Sequence, residues 1–198
     1  SCYRDGFAIA PACVNINTNA AMRITGGSYK GRRPKVSKSF KGRPTTDFGR
    51  ESLFNVLRSR LDIEGLAVLG LFAGTGMIAL EFFSRGCESV VSVEKDPAAV
   101  RGMHSIARSW ELDQWQIVRA DAMGFVKKSL TQYDLVFADP PFDLPELKKI
   151  PEWVLESTLL VPDGWFILEH GERTDVSHIP GFKETRKYGH VHFSLFQK

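Results

Sequence analysis

An α/β fold with a mostly parallel sheet is predicted by this sequence of 198 residues, on three observations. Apolar runs of six or seven residues alternate with helix-length segments from residue 51 onward, the pattern of a parallel sheet covered on both faces. The chain closes on "GFKETRKYG" and "HVHFSLFQ", read as a hairpin turning at Gly189 that adds antiparallel strands at one edge. Hydrophobic residues make up 43% and charged residues 25%, which suits one globular domain with a proper core.

Residues 1–21 show no clear periodicity and precede Met22; the expectation is a leader upstream of a start at Met22, or a poorly ordered tail. From Met22 to Arg50, nine basic residues stand against one acid, a net +8 that leaves −5 for residues 51–198. Glycines and prolines interleave these charges, so residues 22–50 read as an extended basic arm suited to a polyanion, on an acidic body spanning 51–198. "ESLFNVLRSRL" then places Leu53, Phe54, Leu57 and Leu61 on one helical face. Strands follow at 66–72, 89–94, 115–120, 133–138 and 164–170. Helices fill the gaps: "MIALEFFSRG", then "DPAAVRGMHSIARSW" with Asp96 as N-cap and Pro97 in its first turn, then "DAMGFVKKSL", then "ELKKIPEWVLESTLL", interrupted near Pro151.

Several function classes are excluded. No apolar run reaches the ~18 residues of a membrane span. Three widely spaced cysteines without a C-x-x-C argue against a disulfide framework or zinc site and for a reducing cytoplasm. His190 and His192 read as one strand face, but without a third ligand nearby in sequence they are not taken as a metal site. His170, at the end of the fifth strand, is a possible substrate contact or a packing residue.

Ligands of open parallel sheets bind beyond the carboxyl ends of the strands, so the residues just after each strand carry the chemistry. After the first come Ala73, Gly74, Thr75 and Gly76, a turn that lets backbone approach a ligand closely. After the second comes Glu94, eighteen residues beyond Gly76, placed to accept ribose hydroxyls. Asp121 follows the third, where it can accept from an adenine amine or cap a helix. Together these point to an adenosine-containing cofactor, either NAD or S-adenosylmethionine.

The fourth strand end decides between them. "FADPPFD" stops a strand with an acid, two prolines and an aromatic ring. An exocyclic amine conjugated to a base is a poor nucleophile because its lone pair is delocalised. Accepting its two N–H groups, by the Asp139 carboxylate and the Pro140 carbonyl, aligns that lone pair with a sulfonium methyl. Pro140 and Pro141 hold both acceptors still, and Phe142 offers a ring for the base to stack on.

At this point the chain resembles class I S-adenosylmethionine-dependent methyltransferases of the D/N-P-P-Y/F type, and within them the RsmD family of 16S rRNA guanine-N2 methyltransferases. The resemblance runs from Met22 to the C-terminus through "MRITGGSYKGRRP", "RPTTDFGRESLFNVL", "LFAGTGMIALEFFSRG", "VEKD", "DLVFADPPF", "GWFILEH" and "RKYG". It implies a Rossmann-like, seven-stranded sheet, S-adenosylmethionine as cofactor and no metal. It implies as partner 16S rRNA within the 30S subunit or a late assembly intermediate, met in the cytoplasm by a monomer. By position it implies that Phe72, Gly74, Thr75, Gly76, Glu94, Lys95, Asp121, Ala122 and Thr46 line the cofactor. Asp139, Pro140, Pro141 and Phe142 would hold the guanine, Arg23, Lys30, Arg32, Arg33, Arg43 and Arg50 would contact RNA, and Tyr188 would pack near the substrate mouth. Arg43, Thr45 and Thr46 would form the loop beside the site. Gly70 departs from the pattern: the family has Asp there, an acid that orders the glycine turn and water near the cofactor, so weaker cofactor binding is expected. Two alternatives stand beside this reading: the same chemistry on a DNA or protein amine, or a non-catalytic rRNA-binding assembly factor.

Overall fold

The structure, a computed structural model, describes residues 22–36 and 46–198. Helix α1 (Asp47–Arg58) leads into β1 (Ala67–Leu71), α2 (Met77–Ser84), β2 (Ser89–Glu94), α3 (Pro97–Ser109), β3 (Trp115–Arg119), α4 (Ala122–Lys128) and β4 (Tyr133–Ala138). A 3-10 turn (Leu147–Lys149) and α5 (Ile150–Glu156) precede β5 (Leu160–Gly171), β6 (Phe182–Tyr188) and β7 (Val191–Gln197). One seven-stranded sheet results, in the order β3-β2-β1-β4-β5-β7-β6. The first five strands in that order are parallel and β7 runs antiparallel between β5 and β6. Strand order reverses at β1, so the crevice lies beyond the carboxyl ends of β1, β2 and β4.

Strand alternation divides the core. Val68, Phe137, Ile167, Phe193 and Leu195 face α1, α2 and α3, whereas Leu69, Leu71, Val136, Ala138, Phe166, Leu168 and Phe196 face α4 and α5. Local signals start α3 where expected. Asp96 accepts the Ala98 N–H at 2.7 Å, with Pro97 at the first helical position of α3. Helix α2 buries Met77, Ala79, Leu80, Phe82 and, unusually, Glu81.

Three expectations need correction. Helix α1 begins at Asp47 rather than Glu51, because the Thr46 hydroxyl accepts the Gly49 N–H at 3.1 Å and caps it one turn earlier. Strand β5 begins at Leu160, with a register shift against β4 between Tyr133 and Leu135 that admits Pro162. Residues 22–36 are not an extended arm. Ile24 and Arg32 exchange backbone contacts through Ile24 N–H to Arg32 O and Gly31 N–H to Ile24 O, each 2.9 Å, and Ile24 is fully buried in the main core. An apolar residue and a buried amide fold this basic stretch onto α2. No helix among the described residues is long and apolar enough to cross a membrane.

Candidate active site

Backbone leaves β1 through three left-handed residues, Phe72 (φ 57°), Gly74 (54°) and Gly76 (78°). A non-glycine residue in that region costs about 1–3 kcal/mol and persists only when its surroundings over-determine it. Here the Ala73 N–H donates to Val93 O at 3.0 Å and the Gly76 N–H to Ala73 O at 2.9 Å. A β-carbon at Gly76 would lie 2.7 Å from the Trp115 ring and 2.9 Å from Met103, so only glycine fits at the head of α2. The Trp115 indole is itself fixed, donating to Ser92 Oγ at 2.9 Å.

Glu94 closes the turn from the neighbouring strand. Its Oε2 accepts the Gly74 N–H and its Oε1 the Asp96 N–H, both at 2.8 Å. Each oxygen keeps a further lone pair, which is what a ribose diol requires. Asp121 accepts the Gly124 N–H at 2.8 Å as N-cap of α4, using Oδ2 and leaving Oδ1 for an amine. These acceptors and the glycine turn fit an adenosine cofactor. Of the other expected cofactor residues, Thr75 is buried, Ala122 packs in the core beneath α4 and Lys95 is exposed beside Glu94. Thr46 serves as the α1 cap.

Asp139 emerges at the end of β4, where its N–H donates to Leu71 O at 3.3 Å and ties β4 to the foot of the glycine turn. Pro140 is buried, while Pro141 and Phe142 are exposed. The Leu144 N–H donates to Pro141 O at 3.0 Å and turns the chain away from the sheet. One cavity of about 30 Å³ touches Gly70, Phe72, Ala73, Gly76, Ser92 and Asp139 together, so the glycine turn and the acid at β4 converge. A β-carbon on Gly70 would meet nothing nearer than 3.9 Å.

Glu169 belongs to the same corner and was not singled out from sequence. Ala138 pairs with Leu168, and Phe137 and Ile167 share one face, so Asp139 and Glu169 follow side by side on that face. Glu169 is 3% exposed. Its only sequence signal is an acid within an otherwise apolar strand run, "GWFILEH".

The expected RNA contacts separate. Lys30, Arg32 and Arg33 are exposed, as is Arg23, whose Nε lies 3.3 Å from Asp47. Lys30, Arg32 and Arg33 do not cluster at the crevice. The Ser28 and Tyr29 N–H groups bond Ser84 at the C-terminal end of α2, one helix length (about 12 Å) from the glycine turn. Arg32 sits 3.9 Å over the Trp110 ring, with Tyr29 edge-on to the same indole. Arg50 is the clear correction: its side chain is fully buried, paired to Glu81 (3.2 Å) and Asp47 (2.6 Å), so it ties elements together rather than facing a phosphate. Arg43 and Thr45 lie outside the described residues.

The histidines are also reassigned. His190 sits in the turn before β7 and is exposed, whereas His192 is buried, so the two do not form a strand-face pair. His170 is buried and donates from Nδ1 to Gly171 O at 2.9 Å, so Nε2 must accept from Ser194 Oγ at 2.7 Å. Burial holds its pKa below the usual 6.5. With both ring nitrogens engaged, it is a packing residue and not a substrate contact. Among the described residues no cluster of three or more His, Cys, Asp or Glu could hold a metal ion.

A strand order with one antiparallel strand inserted between β5 and β6, and a glycine turn, Glu94 and Asp139 around one crevice, define a class I methyltransferase fold. Residues 22–197 match the family described as Conserved hypothetical protein 95, and the chain belongs to it. YlbH of Bacillus subtilis, whose name proposes rRNA methyl transfer, is 33% identical, covering 89% of this chain and 99% of its own. Ribosomal RNA small subunit methyltransferase D of Escherichia coli K12 is 28% identical, covering 93% of each. Among solved structures, the Escherichia coli protein yhhF superposes with a TM-score of 0.77 at 28% identity over 89% of this chain and 97% of that one. A hypothetical protein of Thermus thermophilus gives 0.75 at 29% identity over 89% and 99%.

Proposed function

We propose that the protein methylates the exocyclic N2 amine of a guanine in 16S rRNA of the small ribosomal subunit, with S-adenosylmethionine as methyl donor. The observation that carries this reading is Asp139 at the end of β4, held to Leu71 by its N–H, followed directly by Pro140 and sharing a cavity wall with the glycine turn. Membership of a family whose relatives include small-subunit rRNA methyltransferases supports the substrate class. A cytoplasmic setting, a 30S particle as substrate and a monomeric enzyme complete the proposal.

The bound cofactor supplies an electrophilic methyl on sulfonium. Glu94 and Asp121 would hold its adenosine end beside the Gly74–Gly76 turn. The Asp139 carboxylate and the Pro140 carbonyl accept the two N–H groups of N2 and aim its lone pair at the methyl carbon. Methyl transfer to N2 would release the donor sulfur as a neutral thioether and leave the product amine carrying an extra proton. That proton has become acidic and passes to Asp139 or to water, so a strong general base is unnecessary.

The test is methyl transfer from labelled cofactor to small subunits of a strain lacking this enzyme, beside bare 16S rRNA, duplex DNA and protein. Label should appear as N2-methylguanosine in 16S rRNA. Label confined to DNA or protein would transfer the reading to that substrate, and no label anywhere would leave a binding factor. Asp139→Ala should abolish transfer while cofactor affinity stays within about twofold; loss of both together would overturn the role given to Asp139.

A further inference from the structure

Three large apolar side chains are exposed among the described residues: Leu130, Phe142 and Phe48. Leu130 lies before the start of β4, at the amino ends of the parallel strands, opposite the crevice. The two phenylalanines share the crevice edge, as the strand register shows. The Phe142 ring covers Gly171, approaching within 3.1 Å of where a β-carbon there would lie. Gly171 pairs with Val191, and Val191 with Tyr188. Adjacent strands are about 4.8 Å apart, so Tyr188 lies on the order of 10 Å from Gly171 along the rim. The Tyr188 ring meets Phe48 edge-on, with centroids 6.2 Å apart and planes at 83°. Residues paired directly across strands project to one side, and Tyr188 and Val191 both pack against the core beneath α1. Phe142 and Phe48 therefore stand at two ends of one rim, on the α1 side of Asp139.

Phe48 is 67% exposed in the first turn of α1. A ring so open contributes little to folding, and its contact with Tyr188 leaves a face available for a second aromatic plane. Two guanidinium groups border it, each paired to an acid: Arg23, 55% exposed, with Asp47 next to it, and Arg186, 47% exposed and on the same face of β6 as Tyr188, with Glu184. An aromatic face bordered by cations is the composition of a single-stranded nucleic-acid contact, where bases stack and phosphates are neutralised.

We propose that Phe48 is a base-stacking residue for the RNA substrate, taking an unpaired nucleotide that neighbours the target while the target base itself enters beside Phe142. The inference rests on the rRNA methyltransferase reading above and adds to it a specificity residue outside the D-P-P-F motif. Stacking contacts of this kind change affinity by about 5- to 150-fold when the ring is removed.

Steady-state methylation of small subunits by the wild type and by Phe48→Ala, Phe48→Leu and Phe48→Trp tests it. Alanine and leucine should each raise KM for the subunit about tenfold, with kcat and KM for the cofactor within about twofold of wild type. Tryptophan should keep the wild-type KM. An unchanged KM in Phe48→Ala, or leucine performing as well as tryptophan, overturns the proposal, because apolar packing would then suffice. A fall in Tm of more than about 5 °C for Phe48→Ala also overturns it, by making the ring structural. Wild-type enzyme inactive on every RNA would remove the underlying reading and this inference together; active wild type with an indifferent Phe48→Ala removes the inference alone.

Discussion

Glu81→Gln is the most informative substitution outside the crevice. The carboxylate is fully buried in α2 and takes the Thr25 N–H (2.9 Å to Oε1), the Thr25 hydroxyl (2.9 Å to Oε2), Arg50 Nε (3.2 Å) and Arg85 Nη1. One acid thus joins the N-terminal basic segment, α1 and α2. Glutamine keeps the shape, but its amide nitrogen faces donors and its charge is gone, so the buried Arg50 guanidinium loses one of its two carboxylate partners. Removing one partner of a buried pair costs about 3–5 kcal/mol. Asp47 still contacts Arg50 at 2.6 Å and Arg23 O accepts from it at 2.8 Å, so the lower end, about 3 kcal/mol, applies here. At about 2–4 °C per kcal/mol for a protein of this size, Tm should fall by about 6–12 °C. Thermal unfolding by circular dichroism at pH 7 reads this directly, and amide exchange at Thr25 should accelerate more than exchange in β1 or β4. The double variant Glu81→Gln/Arg50→Ala should cost less than the sum of the singles, since both delete one contact. A Tm within about 2 °C of wild type, or exact additivity, would refute the assignment of Glu81 as the hub.

Three further outcomes are expected. Gly70→Asp, whose β-carbon would meet only ordinary contacts at 3.9 Å, should tighten cofactor binding by calorimetry; no gain sinks the idea that the missing acid weakens it. His170 is held neutral by burial, so the unfolded chain takes up a proton below pH 6.5 while the folded one resists. Its contribution is therefore complete above that pH and lost as pH falls through the lower folded value. Plots of Tm against pH should be flatter for His170→Gln between pH 7 and 5, and an equally steep variant would contradict this. Burial pushes the Cys87 thiol up to about 12, so iodoacetamide at pH 8 should spare it in the native protein and label it after unfolding, as peptide mass spectrometry would reveal.

How far the sequence could be read depended on how local each signal is. The carboxyl ends of the five parallel strands, the Asp96 cap, the glycine turn and the proline pair after β4 are written within a few adjacent residues, and all fall within a residue of where expected. Arg50 was misread because a charge count along the chain cannot reveal that its partner, Glu81, lies 31 residues away in a buried helix. His170 went unresolved for the same reason, its Ser194 partner being 24 residues distant on β7. Glu169 became visible only when the β4–β5 register set it beside Asp139. Phe48 gave no pattern at all, since a lone aromatic in a helix's first turn acquires meaning only from the rim it joins.

Gly76 gives the fold an evolutionary constraint. Its left-handed backbone opens the crevice, but what forbids a side chain there is the Trp115 ring, pressing from β3 on the far side of β2, together with Met103 from α3. Positions 76, 103 and 115 therefore share one packing volume, and a lineage can enlarge one only by shrinking another. Such a lineage must also find a residue willing to sit at φ 78°, so drift at this end of the crevice should move through Trp115 and Met103 first and reach the glycine last.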